Sequence, residues 1–298
     1  MSLNKSILAR LPLCLPPHAS DPTAYYIGIL VYGQIYVAFE SAMAHILNCN
    51  TYSERDQDVI RRLQVSGLAR SEKLKHDLEL LAKRLKLPPS YADIGKGTNT
   101  EIFEAVRGAA KQYTSHISRN ITEKPYLAMA YAWTMYLAMF NGGRYLLRVL
   151  AAAGSDFWLE NMDAEQQETS QEVEALSFWK FDAATHADPE ANKLKFEFKT
   201  RFDEASELLN DTERAEVVQE AKTIFETCVN MITFLDEYMA DQKDQLEAVA
   251  QQAAAGEVSS SWFGQAATSM WQGLASRLAT LNVPSWSTSL RNEVEVME

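Results

Sequence analysis

Cysteine, glycine and basic residues are scarce in this sequence. Its 298 residues include 3 cysteines and 12 glycines, and 28 lysines and arginines against 40 acidic residues give a net charge of -12. Such a negative field repels phosphate backbones, which argues against nucleic acid as a partner. Cys14, Cys49 and Cys228 lie far apart without CxxC spacing. We therefore expect no structural metal and no disulfide framework, and a reducing, cytoplasmic setting.

Long apolar runs are also missing. A membrane-spanning helix needs about 18 or more apolar residues in a row, and no uninterrupted run of that length occurs. The apolar stretch at the N-terminus is short, is broken by Arg10 and ends in prolines, which is unlike a signal peptide. We expect neither a spanning helix nor a secretory leader.

The pattern that is present is helical nearly throughout, which predicts an all-α fold. The clearest apolar stripe belongs to the last predicted helix and comprises Val218, Ala221, Phe225, Cys228, Ile232, Leu235 and Met239. The predicted helices cover 22–48, 53–85, 100–118, 123–152, 166–183, 190–209 and 212–253. Composition changes after Glu257, so we predict a helical domain over 1–255 and an appendage over 256–298.

Two adjacent glycines, Gly142 and Gly143, interrupt the apolar stretch "YLAMFNGGRYLL". Each costs a helix interior about 0.5–1 kcal/mol relative to alanine. Two interpretations are open. The glycines let a neighbouring helix approach or kink their own helix, or they bare the backbone for a flat ligand that a Cβ would hold away.

Three stretches together resemble the heme oxygenase family. "AYAWTMYLAMFNGGRYLLRVL" is similar to its distal helix, "YYIGILVYGQIYVAFESAM" to its early core helix, and "FEFKTRFDEASELLNDTERAEVVQEAKTIFETCVNMITFLDEY" to its last two helices. They follow one another in the family's order over most of residues 22–240. The resemblance implies a heme-oxygenase-like multi-helical bundle.

In that family the glycines of the distal helix contact heme. The resemblance therefore implies that Gly142 and Gly143 bind a macrocycle, with Trp133 and Phe225 as walls of the slot. Met139 stands where the family has its distal aspartate. The resemblance implies an oxidoreductase, a heme oxygenase, but a thioether cannot anchor the waters that deliver protons, so Met139 argues against conventional heme degradation and the activity stays open. Met139 would serve either as a soft ligand or in packing.

The family's axial histidine also has no evident counterpart. Counting back from Tyr36 by the family's interval leads to a position near Leu3. The upstream histidine, His18, lies between prolines in "LPPHASDP" and is predicted to be a loop residue. We expect no histidine of this sequence to be the axial ligand.

Lys195 and Lys199 match the basic residues with which the family holds heme propionates. They lie four residues apart, beside an apolar stripe on the same predicted helix. Cations at the lip of an apolar slot can pair with carboxylates. The alternative is an ordinary solvated basic edge.

The appendage suggests a second kind of partner. An apolar stripe that includes Phe263 and Trp271, next to Trp262, faces an opposite side of Ser, Thr, Gln and Gly. Such helices settle on membrane surfaces, although a segment docked on the protein or a disordered one would fit equally. A di-iron site is disfavoured because no Glu-x-x-His pair occurs.

Two functions follow from these features. The first is the binding of heme or a related planar tetrapyrrole. The alternative is a non-catalytic interaction or membrane-peripheral protein that retains the helical scaffold and fills the slot with its own side chains.

Overall fold

The structure is a computed structural model that describes residues 11–85, 101–159, 173–181 and 189–254. Its principal helices are α1 (Thr23–Asn48), α2 (Glu54–Leu63), α3 (Ser71–Leu85), α4 (Glu101–Glu123), α5 (Ala128–Tyr131), α6 (Arg144–Ala151), α7 (Pro189–Glu207) and α8 (Asp211–Ala254). Short 3-10 helices occur at Leu11–Cys14, Pro125–Leu127 and Glu174–Trp179. The described residues contain no strand, and the all-α prediction is confirmed.

Helix α1 is the core helix, packed by α4, α3, α2 and α8. Leu30, Val31, Phe39 and Ile46 on it are wholly buried. Although no uninterrupted apolar run exists, α1 is by length and average composition apolar enough to cross a membrane. The most apolar window of the helix is 61% buried inside the protein, as expected of a helix that forms the centre of a bundle.

One long helix was predicted over 53–85, and the structure has two instead. Helix α2 ends at Leu63 because Gln64 adopts an extended backbone (φ -81°, ψ 98°), and Gly67 takes a left-handed conformation (φ 82°) in the turn that leads to α3. The backbone N–H groups of Arg70 and Ser71 then donate to the Glu40 carboxylate at 2.8 and 2.9 Å. A carboxylate from α1 thus caps the first turn of α3.

The helix predicted over 166–183 is wrong where the structure describes it. Residues 173–181 are here called the aromatic segment. They contain a 3-10 helix, Glu174–Trp179, in which the backbone of Leu176 is not helical (φ -120°, ψ 24°). Asp77 of α3 accepts the backbone N–H groups of Ser177 and Phe178 at 3.1 and 2.7 Å. Because a tertiary carboxylate takes these donors, the local helical pattern is overridden.

The stripe predicted for α8 is correct only in part. Cys228 and Ile232 are buried, whereas Val218 and Phe225 are 58% and 50% exposed. The buried side of the helix passes through Ile224 instead. The predicted boundary at 255 and the appendage 256–298 lie outside the described residues.

Candidate functional site

The double glycine lies in a stretch that departs from α-helical winding. Between α5 and α6 the chain forms two π-turns, Ala132–Tyr136 and Met139–Gly143. We call the run from Ala128 to Ala151 the bent segment. Such π-turns disturb the ladder of backbone hydrogen bonds and occur frequently at functional sites.

Helix α1 holds the bent segment at its first π-turn. The Tyr36 hydroxyl donates to the Met135 carbonyl at 3.0 Å, and the Tyr136 hydroxyl donates to the Glu40 carboxylate at 2.9 Å. Burial raises the pKa of both tyrosines well above the usual range, so both remain protonated donors at physiological pH. The first bond satisfies a carbonyl at the point of irregular winding.

Neither glycine of the pair is required by packing within the fold. A Cβ on Gly143 would lie 3.5 Å from Met139 Cε and 3.6 Å from Trp179 Cε3, which is ordinary contact, and a Cβ on Gly142 would meet none of the described residues within 4 Å. Gly33 on α1 is different, since its Cβ would lie 2.8 Å from Leu74 Cδ1. Gly143 also has ordinary helical angles, with a φ of -58°.

One side of the bent segment is uncovered. We call it the open face; it consists of Trp133, Ala138, Asn141, Gly142 and Tyr145. Trp133 and Tyr145 are 38% and 47% exposed, and Ala138 and Asn141 are also exposed. Trp133, Ala138, the adjacent pair Asn141 and Gly142, and Tyr145 follow one another at intervals of three to five residues, so they recur about once per turn. The backbone of Gly142 is thus bare where the surface is open.

Met139 points the other way. Its side chain is 2% exposed and its thioether borders Gly143 on the inner side of the bent segment. Of the two roles predicted for Met139, the structure favours packing.

Helix α7 lies against the bent segment and brings its cations to the open face. Phe202 packs on Trp133 with ring centroids 4.6 Å apart, while Phe198 is wholly buried. Lys195 Nζ donates to Asn141 Oδ1 at 2.6 Å. Lys199 follows one turn later and is exposed. Lys195 of the predicted basic pair therefore contacts the open face, whereas the role of Lys199 stays a prediction.

Phe225 is less closely tied to this group. The hydroxyls of Tyr126 and Tyr131 donate to Glu216 and Glu220 of α8. Because both residue numbers increase together, α8 runs in the same direction as the chain around Tyr126 and Tyr131. Phe225 follows Glu220 by just over one turn and is half exposed. No contact between Phe225 and the open face is recorded among the described residues, and its role as a wall stays a prediction.

Two aromatic residues that contact the bent segment were missed by the sequence reasoning. Trp179 covers Gly143 and donates through Nε1 to the Tyr25 hydroxyl at 2.8 Å. Phe181 stacks on Phe140, with centroids 4.8 Å apart and planes 5° apart. The aromatic run "FWKF" was the available signal.

Comparison with known proteins gives consistent relatives. A family model described as heme oxygenase matches residues 30–234. The heme-binding protein HMX1 of Saccharomyces cerevisiae is 23% identical over 220 residues, which cover 72% of this chain and 65% of that protein. The chain thus spans slightly less than two thirds of that relative's length.

Solved structures of similar fold are heme oxygenases. Heme oxygenase 2 of Chlamydomonas reinhardtii, solved without heme, has a TM-score of 0.53 at 20% identity and covers 78% of this chain and 89% of its own. Heme oxygenase-2 of Synechocystis, in complex with heme and NO, has a TM-score of 0.51 at 17% identity, with coverages of 80% and 82%. At these identities the likeness concerns the fold alone.

Alanine at each glycine should change the stability of the fold in the direction that the surrounding side chains allow. Gly142→Ala and Gly143→Ala should each raise the free energy of unfolding by about 0.5–1 kcal/mol, because helix propensity improves without a clash. Gly33→Ala should lower it by about 1–3 kcal/mol through overpacking against Leu74. Urea unfolding measures all three. Destabilisation by Gly142→Ala similar to that by Gly33→Ala would show that the fold itself needs the bare backbone.

Proposed function

Since the chain belongs to the heme oxygenase family, we propose that it binds heme or a related planar tetrapyrrole on the open face. The observation that carries the proposal is Gly142. It weakens its helix, and none of the described residues comes within 4 Å of a Cβ at this position, so that packing among them does not require a glycine. A flat ring gains the closest approach where no Cβ intervenes.

The surrounding groups fit the chemistry of such a ligand. Trp133 and Tyr145 leave aromatic surface exposed on the open face. Lys195 is held by a neutral amide rather than by a carboxylate, so its charge is available for an acidic substituent of the ring. Lys199 can supply a second charge-assisted contact.

The proposal does not extend to conventional heme degradation. When bound, heme supplies iron that can activate oxygen, and proton delivery must then come from the protein. Met139 occupies the position of the family's distal aspartate, and its thioether is buried and donates no proton. The nearby Tyr36 hydroxyl is already engaged with the Met135 carbonyl.

Alanine substitution of the two glycines tests whether the ligand binds on the open face at Gly142 or on the packed side at Gly143. Gly142→Ala should weaken hemin binding about tenfold, since a methyl group would stand between ring and backbone, a change of about 1.4 kcal/mol. Gly143→Ala is the matched control and should leave the affinity within about twofold, because its methyl would point at Met139 and Trp179. Titration of the Soret band gives both values. Equal affinities for the two variants would contradict the assignment.

Charge reversal tests the role of the lysines. Lys199→Glu should weaken hemin binding by about tenfold or more, with a larger loss at low salt, because an attraction becomes a repulsion. Lys111→Glu, at an exposed position on α4, carries the same change in net charge away from the open face. If both variants lose affinity equally, only the overall field matters and the lysines have no specific role.

A non-catalytic interaction or membrane-peripheral protein is the alternative function. It is supported by Val218, Phe225 and Val229, which leave apolar surface exposed on α8, and by Trp179, which covers Gly143. In this proposal Trp262, Phe263 and Trp271 meet a membrane surface, and the protein resides in the cytoplasm, attached peripherally.

Deletion of residues 258–298 tests the membrane role of the appendage. If the appendage binds membranes, the intact chain should float with liposomes and the shortened chain should remain in the dense fraction. Retained binding of hemin by the shortened chain would show that it is folded. Equal flotation of both chains would rule out the appendage as the membrane contact.

A further inference from the structure

Heme iron is usually held by a nitrogen, sulfur or oxygen atom of the protein. The sulfur groups on the elements around the open face are unsuited to this. Met139 is buried on the inner side of the bent segment. Cys228 on α8 is 3% exposed, and burial raises the pKa of its thiol to about 12. At neutral pH this cysteine is a thiol and not the thiolate that ligates iron.

The histidines on the described helices are engaged or lie elsewhere. His116 Nε2 is 3.0 Å from Glu220 Oε1 and 3.0 Å from Asn120 Nδ2. His45 packs edge-on to Tyr52 near the C-terminal end of α1, with ring centroids 6.0 Å apart. His116 is thus engaged by Glu220 of α8 and by Asn120 of its own helix, and His45 packs on the loop between α1 and α2.

His76 is exposed on α3. The aromatic segment contacts both α3 and α6, so that it lies between the helix of His76 and the end of the bent segment. His18 belongs to the turn before α1, where its backbone N–H donates to the Leu15 carbonyl at 2.9 Å. His186 lies outside the described residues. On the open face itself, Tyr145 is the remaining side chain with an oxygen donor suited to iron.

The open face is better equipped for the ring and its acidic substituents than for a metal. Bare backbone at Gly142, aromatic surface at Trp133 and the cations Lys195 and Lys199 all act on parts of a tetrapyrrole that are unchanged when the metal is removed. We infer that the chain recognises the macrocycle and its carboxylates and not the metal, so that metal-free porphyrins bind as tightly as hemin. This inference rests on the proposed function.

The test compares hemin with metal-free protoporphyrin IX on the full chain, by quenching of tryptophan fluorescence. The two dissociation constants should agree within about threefold. Gly142→Ala should weaken both ligands by the same factor, which distinguishes the open face from unspecific adsorption. His18→Ala, His186→Ala and Tyr145→Phe should leave the Soret maximum of bound hemin in place.

The possible results have separate meanings. Hemin bound tenfold or more tightly than the metal-free ring, with the difference abolished by one of the three ligand variants, overturns the inference and keeps the proposed function. Failure of both ligands to bind overturns the proposed function and the inference with it. If hemin and the metal-free ring bind equally well and Gly142→Ala weakens neither, the porphyrin binds elsewhere than on the open face. That result also overturns the inference.

Discussion

Two hydrogen bonds between α1 and the bent segment determine how the candidate site is arranged. Tyr36 and Glu40 are one helical turn apart on α1. Tyr36 donates to the Met135 carbonyl, and Glu40 accepts from the hydroxyl of the next residue, Tyr136. Glu40 also caps α3 through Ser71. One carboxylate therefore joins the core helix, the bent segment and the helix that anchors the aromatic segment. Because these groups are largely buried, their mutual satisfaction fixes the winding of the segment.

That winding decides which side chains turn inward. Met139 and Trp179 fill the inner side next to Gly143, while Gly142 and its exposed neighbours remain outside. The segment thus presents the backbone of Gly142 on the side where Lys195 bonds to Asn141. The same arrangement turns the thioether of Met139 away from the open face.

Sequence periodicity was sufficient for the helices that bury a regular stripe. Helix α1 lies within one residue of its predicted bounds, and α7 begins and ends close to the predicted 190–209. Sequence periodicity failed where the side chains of distant residues accept backbone N–H groups. Glu40 of α1 caps the start of α3 within the single helix predicted over 53–85, and Asp77 accepts N–H groups of the aromatic segment, which is not the predicted helix. For the candidate site, the sequence and the family resemblance pointed to the glycine pair and Lys195, whose binding roles stay predictions. The opposite surroundings of Gly142 and Gly143 could not, since they depend on π-turns that no local pattern encodes.

The proposed contact between a planar ring and the backbone at Gly142 can be mapped by NMR. Amide chemical shifts of the isotope-labelled protein are followed during titration with metal-free protoporphyrin IX, whose ring current shifts nearby protons. If the ring lies at Gly142, the largest changes should occur at Ala138, Asn141, Gly142 and the Trp133 indole N–H, with little change at Gly33. Changes concentrated on α8 or in residues 255–298, with the bent segment unaffected, would contradict it.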